Sequence, residues 1–509
     1  MDPTETLDAD ACYRALCAHD ARFDGRFFTG VSSTGIYCRP VCRVRTPRRE
    51  NCRFFVYAAQ AEQAGFRPCL RCRPELAPAA QAWSLQDTSV SLTRQAMRLL
   101  DDPEAWPLDT PGVGALAQRL GVSDRHLRRL FEQHLGVTPL QYLQTRRLLT
   151  AKQLLADTSL PVTRIAQLSG FASLRRFNAA FLAHYGLNPT GLRRAGAAGP
   201  ADGPGIQLRL AWRPPYDVAA LLGFLRTRQL QGVEQVGTEA GQPFYARTLR
   251  TASGPDTHQG WLVCHFDEAR CQVLLRVSDS LGDVLPAVMR RVRAALDLDA
   301  DPQAIQAVLG GMPEPAASQA GLRVPGGVDG FELAVRAVLG QQITVAAART
   351  LAQRLVGQFG TAIDTPLPGL DRLFPDAATL AGADGEALGR LGIVRQRQAA
   401  ITALARAVAE GRLSLQPGAD VAATTAALRE LPGIGDWTAQ YIALRALRWP
   451  DAFPAGDVAL HKALGLNDRR HAARQAEALA QAWRPWRGYA LIRAWHSMGQ
   501  TPPSSKEPA

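Results

Sequence analysis

Four cysteines in two close pairs constrain this chain more than any other feature of its sequence. Three residues separate Cys38 from Cys42, two separate Cys69 from Cys72, and 26 residues lie between the pairs. Each pair lies in a stretch rich in Gly, Pro and Arg, which is typical of turns. Four thiolates around one Zn²⁺ can fold a segment too small for a large apolar core. We therefore expect one four-cysteine zinc site, the alternative being four free buried thiols.

Length and composition predict several globular domains. The chain has 509 residues, of which 46% are apolar and 20% charged, so three to five packed domains and little disorder are expected. No uncharged apolar run reaches the ~18 residues that a membrane helix needs, and the first ten residues are acidic. The nine cysteines are an odd number in a chain without a secretory signal, which argues against a disulfide framework. These features predict a cytoplasmic protein with no membrane contact.

The positive charge is concentrated near the N-terminus. The net charge is +12, and residues 1–200 hold 26 basic against 17 acidic side chains. Within residues 38–73 there are nine Arg and two Glu. Such a bias favours a polyanionic partner, most simply nucleic acid. The alternative is an arginine-rich surface that only contacts solvent.

Composition shifts divide the chain into four segments. Residues 76–82 and 195–205 read as linkers because they are rich in Pro, Ala and Gly, and the tail 501–509 is expected to be disordered. Strand-like alternation in IQLRLAW, GWLVCHF and CQVLLRV gives way to helical periodicity after about residue 285. We expect a multidomain, mainly α fold with α+β parts. The predicted domains are a small zinc domain at 1–80, a helical domain at 84–195, an α+β domain at 206–310 and an all-α domain at 315–500.

The helical segment contains an internal repeat. Residues 117–139 align with residues 166–189, and each copy reads as helix, tight turn, helix, with Ser123 and Ser173 as N-caps of the second helices. This pattern is typical of a helix-turn-helix, whose second helix enters the major groove of DNA. Two copies joined by a helix resemble the AraC-type DNA-binding domain over 88–194; a plain helical bundle is the alternative. The candidate DNA contacts on the second helices are Arg125, His126, Arg128, Arg129, Arg175 and Arg176.

The cysteine segment resembles a family of DNA alkylation-response regulators. DGRFFTGVSSTGIYCRPVCRVRTPRREN and AGFRPCLRCRPE are similar to the N-terminal domain of Ada-type proteins, over about residues 20–75. The resemblance implies that Cys38 accepts a methyl group irreversibly from a DNA methylphosphotriester, while Cys42, Cys69 and Cys72 only bind the metal. Methylation would change the site's charge from −2 to −1 and so reduce its repulsion from the DNA backbone. The residues that match family positions near the phosphate are Thr34, Arg45, Arg67 and Arg71.

The C-terminal segment contains a glycine-rich turn before a helix. LPGIGDWTAQYIAL spans 431–444, and its turn offers backbone N–H groups at Gly433 and Gly435 that can bind a phosphate. FPAGDVALHKAL follows, with Asp457 at the start of the next helix. Together with FELAVRAVLGQQITVAAA and WRPWRGYALIRAW, these motifs resemble the AlkA-type 3-methyladenine glycosylases of the helix-hairpin-helix superfamily, over about 206–500.

That resemblance implies the chemistry of the C-terminal domain. Asp457 would be catalytic, where the residues alone suggest only a helix N-cap. Trp437, Tyr441 and Trp495 would form an aromatic pocket for a cationic base, with core packing as the alternative. Bifunctional relatives have a Lys at the position of Trp437, so we expect base excision without strand cleavage. Gln342 lies where relatives place the residue that fills the gap left by the flipped base.

The whole chain is therefore identified as an Ada-type regulator fused to an AlkA-type glycosylase. The expected partners are damaged and promoter double-stranded DNA, and RNA polymerase; a monomer associated with the bacterial nucleoid is expected. The Pro-Cys-His-Arg motif of the guanine-O6 repair domain is absent from the sequence, so direct reversal of that lesion is not expected. Two alternatives remain: a glycosylase whose N-terminal half only anchors it to DNA, and a regulator with an inactive glycosylase domain.

Overall fold

A computed structural model describes residues 7–79, 88–102, 112–196, 204–253, 256–313, 316–468 and 470–500. Most of the predicted linker 195–205, the end of the predicted linker 76–82 and the whole tail 501–509 lie outside these residues. Among the described helices, none has both the length and the apolar character needed to cross a bilayer.

Two compact units make up the chain. The first comprises residues 1–214, 251–290 and 298–301, and the second comprises 215–250, 291–297 and 302–509. The segment predicted as one α+β domain, 206–310, therefore contributes residues to both units.

The N-terminal segment is a small four-stranded sheet with two helices. Its elements are α1 (Ala9–Cys17), β1 (Phe28–Val31), β2 (Ile36–Cys38), β3 (Cys52–Phe55), α2 (Ala58–Gln63) and β4 (Arg67–Pro68). The strand order is β3-β1-β2-β4, with β2 and β4 parallel and the other pairs antiparallel. One small apolar cluster buries Phe28, Tyr37, Ala61 and Phe66, and another buries Cys12, Ala15 and Phe27. So small a core leaves the segment dependent on further stabilisation.

The next segment is all helical and shows the predicted repeat. Its helices are α3 (Thr88–Leu100), α4 (Val113–Arg119), α5 (Asp124–Leu135), α6 (Pro139–Asp157), α7 (Val162–Leu168), α8 (Leu174–Tyr185) and α9 (Pro189–Gly196). The predicted connecting helix is α6, which begins with a capping box at Thr138 and a proline at its first position. Its buried side chains occur on all sides, as expected of a helix at the centre of a bundle.

The α+β segment contains β5 (Ile206–Ala211), α10 (Val218–Arg228), β6 (Glu234–Glu239), β7 (Gln242–Ser253), β8 (Asp256–Asp267), β9 (Gln272–Val277), α11 (Leu285–Ala295) and α12 (Pro302–Leu309). In the first unit, β9 pairs antiparallel with both β5 and β8. In the second unit, β6 and β7 form an antiparallel hairpin in which Glu239 faces Gln242. Burial alternates along β9, which agrees with the alternation read from the sequence. The β6–β7 hairpin was not predicted.

The C-terminal segment is almost entirely helical. Its elements are α13 (Gly330–Leu339), α14 (Val345–Phe359), β10 (Thr361–Ala362), β11 (Arg372–Leu373), α15 (Ala377–Ala381), α16 (Gly385–Arg390), α17 (Arg395–Ala409), α18 (Val421–Glu430), α19 (Asp436–Arg445), α20 (Val458–Ala463), α21 (Ala472–Ala480) and α22 (Arg487–Gln500). Helix α13 is buried along most of its length, and its apolar side chains pack with those of α17 and α19 in one large core. This core holds α19 and the turn before it in place.

Buried charges join the N-terminal segment to α6 within the first unit. Lys152 of α6 forms an ion pair with Glu75 and donates to the Cys69 carbonyl at 3.4 Å. Arg73 bridges Glu75 at 2.8 Å and Asp157 at 2.6 Å. Because burial desolvates these groups, each must be paired to be tolerated. The network fixes the segment that follows the second cysteine pair.

A fully buried arginine makes a second connection in the same unit. Arg213 donates to the carbonyls of Asp24, Pro78, Ala79, Asp299 and Ala300, at 2.7 to 3.2 Å. Each of its nitrogens therefore donates a hydrogen bond, which offsets the cost of burying the guanidinium. Burial lowers the pKa of Arg213 below its usual value. This residue holds three chain segments together.

Candidate active site and metal centre

The four cysteines of the predicted zinc site come together beside the N-terminal sheet. Cys38 ends β2, and the second pair follows β4, the parallel neighbour of β2. The four sulfur atoms lie within 4.8 Å of one another. Tetrahedral Zn–S bonds of ~2.3 Å would place sulfurs ~3.8 Å apart, so the arrangement is close to that of a bound ion. The donor set fits zinc, and the prediction that these four residues cluster is confirmed.

The four sulfur atoms have different hydrogen-bond environments. The backbone N–H of Arg39 donates to the Cys72 sulfur at 3.3 Å. Among the described residues, no backbone N–H donates to the Cys38 sulfur. Hydrogen bonding with the Cys42 thiol raises the pKa of Cys38, and the same kind of contact with Cys38 lowers the pKa of Cys69. The Cys38 sulfur therefore lacks the backbone donor that the Cys72 sulfur has.

The predicted phosphate-contacting residues lie on the surface near this cluster. Thr34, Arg45, Arg67 and Arg71 are all exposed. Arg67 also donates to the carbonyl of Tyr185 at 3.4 Å, at the C-terminal end of α8. A cation at a helix C-terminus is favourable, so Arg67 has a structural role in addition to any contact with DNA. The other three remain predictions for phosphate binding.

Both copies of the repeat have the predicted caps. The Ser123 hydroxyl accepts from the N–H of His126, and the Ser173 hydroxyl accepts from the N–H of Arg176, each at 3.2 Å. Each second helix ends at a glycine with positive φ, 63° at Gly136 and 69° at Gly186. In both copies, the second helix thus begins at a serine N-cap and ends at a glycine C-cap.

The candidate DNA contacts occupy one exposed side of these helices. Arg125, Arg175 and Arg176 are exposed and form no ion pair among the described residues. Arg128 pairs with Asp124 at 3.2 Å, and Arg129 hydrogen-bonds the half-buried His126 at 3.1 Å. The three phenylalanines expected in the core, Phe131, Phe177 and Phe181, are fully buried.

The glycine-rich turn forms the predicted helix-hairpin-helix between α18 and α19. Gly433 has φ 77°, and a Cβ there would lie 3.2 Å from Ala400 and from the Gln396 carbonyl, so this position requires glycine. Gly435 is the N-cap of α19 and is exposed. The Gln341 side chain donates to the Gly433 carbonyl at 2.9 Å, which fixes the hairpin against the turn after α13. That contact was not predicted.

Gln342 lies in the turn between α13 and α14. It is exposed and has φ 55°, a conformation that is uncommon for a non-glycine residue. The turn therefore presents this side chain on the surface, and its predicted insertion into DNA remains a prediction.

Asp457 is the N-cap of α20 and also accepts hydrogen bonds from two tryptophans. Its Oδ1 accepts from the N–H of Leu460 at 2.8 Å and from the indole N–H of Trp495 at 3.0 Å. Its Oδ2 accepts from the indole N–H of Trp437 at 2.9 Å. An ordinary N-cap needs only the first of these bonds. The two indoles hold the carboxylate in one orientation, with only 7% of the residue exposed.

The three aromatic residues predicted to bind a base form one wall. The rings of Trp437 and Tyr441 stack with centroids 5.1 Å apart, and Trp495 follows at 6.1 Å from Tyr441. These residues and Asp457 line a cavity of about 460 Å³. They therefore bound an open space, and their contact with a base remains a prediction.

A charged wall bounds the same cavity. Arg247 bridges Glu332 at 2.5 Å and Glu234 at 3.4 Å, while Arg336 bridges the same two carboxylates at 2.8 and 2.9 Å. Burial would raise the pKa of Glu234, but the two guanidinium groups outweigh burial and hold it below its usual value. The Tyr245 hydroxyl donates to Glu234 at 2.9 Å. The two arginines and the two glutamates of this wall together carry no net charge.

Family profiles match four consecutive parts of the chain. Residues 11–75 match the metal binding domain of Ada, and residues 116–195 match a helix-turn-helix domain. Residues 207–329 match the AlkA N-terminal domain, and residues 335–487 match the HhH-GPD superfamily of base excision DNA repair proteins.

Individual relatives resemble the chain over different extents. The probable bifunctional transcriptional activator/DNA repair enzyme AlkA of Mycobacterium tuberculosis is 39% identical, over 98% of this chain and 99% of the relative. The chain belongs to this AlkA family of bifunctional activators and repair enzymes. Two Escherichia coli proteins match parts of it. DNA-3-methyladenine glycosylase 2 is 35% identical over 58% of this chain and 98% of its own length. The bifunctional transcriptional activator/DNA repair enzyme Ada is 36% identical over 32% of this chain and 44% of its own length.

Membership of the AlkA family accounts for the zinc-type cluster, the helix-turn-helix repeat and the hairpin, all of which were predicted. The charged wall of the cavity was missed. Its residues come from the β6–β7 hairpin and α13, where neither spacing nor periodicity marks them as functional. Clustered charges in an apolar helix, such as Glu332 and Arg336 in FELAVRAVL, were the only available signal.

Proposed function

We propose that this chain responds to DNA alkylation damage with two activities. As a glycosylase it excises 3-methyladenine and related alkylated bases without cutting the strand. As a transcriptional activator it is switched on by irreversible methyl transfer from a DNA methylphosphotriester to Cys38. The observation that carries the first activity is the Asp457 carboxylate, held by Trp437 and Trp495 in the wall of an aromatic cavity.

Base excision needs stabilisation of positive charge on the sugar. The glycosidic bond from C1′ breaks, and the cationic base leaves as a neutral molecule with the bonding electrons. Asp457 lies where its negative charge can stabilise the oxocarbenium-like sugar. Its oxygens already accept three N–H bonds, which supports electrostatic stabilisation over proton abstraction. Water then bonds to C1′ and loses a proton to solvent, leaving an abasic site.

The aromatic wall supports recognition of a cationic base. A flipped base can stack on Trp437 and Tyr441, whose ring planes differ by only 18°. Electron-rich ring faces attract a cation more than a neutral base. Strand cleavage would require an amine to form a Schiff base. No lysine occurs among the described residues that line the cavity, which supports a monofunctional enzyme.

Methyl transfer requires one nucleophilic sulfur in the cluster. The Cys38 sulfur attacks the methyl carbon, a C–S bond forms, and the C–O bond of the phosphotriester breaks with its electrons on oxygen. One zinc ion, when bound by the four cysteines, would keep the sulfurs ionised. Cys38 is proposed as the acceptor because it occupies the methyl-accepting position of the Ada-type motif, and residues 11–75 match the metal binding domain of Ada.

The helix-turn-helix repeat provides promoter binding. Arg125 and Arg129 of the first copy, and Arg175 and Arg176 of the second, are exposed near the starts of two equivalent helices. We propose that these helices enter successive major grooves of promoter DNA, and that the bound monomer contacts RNA polymerase. The four segments 1–80, 84–195, 206–310 and 315–500 would then each supply one function on bacterial nucleoid DNA.

A time course with three proteins tests both activities. Wild type, Asp457→Asn and Cys38→Ser are incubated with DNA methylated on bases and backbone, and released bases and protein-bound methyl groups are measured. Asn can still cap α20, so Asp457→Asn should fold normally while base release falls about 10²–10³-fold. Methyl transfer should disappear only in Cys38→Ser.

Other outcomes identify the alternatives. Base release without protein methylation would indicate a glycosylase anchored by a structural zinc domain. Protein methylation without base release would indicate a regulator with an inactive glycosylase domain.

A further inference from the structure

One end of the cavity carries positive charge that no carboxylate offsets. Arg228 and Arg445 both line the cavity, and neither forms an ion pair with any described residue. Both guanidinium groups lie over the ring of Phe224, at 3.6 and 4.8 Å from its centroid. The neighbouring quartet of Glu234, Arg247, Glu332 and Arg336 is neutral in itself, so this excess charge is a separate feature.

The hydrogen bonds of these two arginines leave donors free. Arg445 donates through Nε to the Pro325 carbonyl at 2.6 Å and through Nη1 to the Tyr441 hydroxyl. Arg228 uses Nη1, which donates to the Phe224 carbonyl at 3.2 Å and to Thr227 at 3.0 Å. Among the described residues, no carboxylate or carbonyl accepts from Nη2 of either arginine, and the Arg228 side chain lies against the Tyr441 hydroxyl. Burial lowers the pKa of Arg228 to about 10, so it remains charged at neutral pH.

Tyr441 belongs to the same donor group. Its oxygen accepts from Arg445, and its own O–H has no acceptor among the described residues. Burial would raise the pKa of Tyr441, but the charges of Arg445 and Arg228 outweigh burial, and the pKa lies below its usual value. A phenol so polarised is a stronger hydrogen-bond donor. This end of the cavity therefore presents hydrogen-bond donors, and a bound base would have to supply the acceptor.

Three residues of α19 define the two ends of the cavity. Trp437, Tyr441 and Arg445 are spaced four residues apart and so lie on one side of the helix, about 6 Å per step. Trp437 contacts Asp457 at one end, and Arg445 lies two steps away. A base stacked on Tyr441 would have its glycosidic bond at the Asp457 end and its far edge at the arginines.

We propose that Arg228, Arg445 and the Tyr441 hydroxyl form a subsite that selects damaged purines with a carbonyl oxygen at position 6 over those with an amino group. The inference rests on the proposed base excision and names its substrate class. A 6-oxo group accepts hydrogen bonds from the donors at this end, whereas a 6-amino group would place its N–H groups against them. The aromatic wall binds both classes of purine, and this subsite makes release of the 6-oxo class faster.

The test compares two bases from one DNA sample. Methylated DNA carries 3-methylguanine and 3-methyladenine, which have the same charge and differ at position 6. The ratio of their single-turnover release rates is measured for wild type, Arg228→Met and Arg228→Lys. Loss of one charge-assisted hydrogen bond should lower the 3-methylguanine to 3-methyladenine ratio about tenfold in Arg228→Met, and Arg228→Lys should restore part of it. A ratio unchanged in Arg228→Met would overturn the proposal.

A matched variant and a second substrate exclude other causes. Arg226→Met removes an exposed arginine from the same turn of α10 that does not line the cavity, and it should leave the ratio unchanged; an equal fall would overturn the proposal. Guanine also carries a 2-amino group, so hypoxanthine in a duplex, which has only the 6-oxo group, is the second substrate. Its release must fall in Arg228→Met as well, and a normal rate would assign the effect to the 2-amino group. Failure of the proposed function looks different, because wild type would then release no base.

Discussion

The four-cysteine cluster and the aromatic cavity hold their side chains in place by opposite means. All four cysteines lie within 35 residues, at the ends of two neighbouring strands, and metal binding can supply the stability that the small core cannot. The cavity is assembled from residues between Leu225 and Trp495, held by a large apolar core. The first site depends on one ligand set, and the second depends on the packing of many segments.

Removal of a metal ligand should have the largest effect. Structural zinc contributes about 10–16 kcal/mol in small domains, so Cys69→Ala should abolish zinc binding and leave the N-terminal sheet unfolded. Zinc content by mass spectrometry and amide hydrogen exchange over residues 28–55 would measure this. Base release should persist because the cavity has its own core. Wild-type protection of the sheet without zinc would contradict the idea that metal binding determines this fold.

Loss of one indole N–H should have an intermediate effect on the cavity. Trp437→Phe keeps an aromatic ring but removes the 2.9 Å bond to Asp457. Hydrogen bonds to charged groups contribute about 1.5–3 kcal/mol, so single-turnover base release should fall about 10–100-fold with little change in melting temperature. Trp449→Phe, outside the cavity lining, is the matched control. Equal rates for the two variants would mean that Asp457 needs no indole to orient it.

The smallest expected effect is on thermal stability, and it should distinguish two glycines of one hairpin. Gly433→Ala places a side chain at φ 77° and 3.2 Å from Ala400, which should cost about 1–2 kcal/mol and lower the melting temperature by a few degrees. Gly435→Ala has ordinary φ and nothing within 4 Å of the added Cβ. Calorimetry of the two variants tests the difference. Similar melting temperatures would show that the turn tolerates a side chain at either position.

Helix caps, single helices and metal-ligand spacings could be predicted because their causes lie within a few residues. Ser123 and Ser173 were recognised as caps from the residues that follow them, and α6 was recognised from its continuous helical pattern. Cysteine spacing identified the metal ligands in the same way. Each of these depends on short-range geometry, which sequence spacing expresses directly.

Long-range contacts could not be predicted. Nothing near Gln341 in the sequence indicates that its side chain holds the carbonyl of Gly433, and nothing near Arg228 indicates that it lies beside Tyr441. The buried carbonyl contacts of Arg213 are equally distant in the sequence. Such pairs form only when separate segments pack.

The sequence by itself determined the family, the cysteine cluster, the repeated DNA-binding helices and the start of α20 at Asp457. The tertiary structure alone decided that Asp457 accepts two indole N–H bonds, and that the aromatic wall ends at two arginines with no ion pair in the described parts of the chain. The physical reason is the sequence separation between the residues that interact. Spacing and capping act within a turn or a short loop, whereas the cavity joins side chains that are more than 200 residues apart, and only packing of the core brings these together.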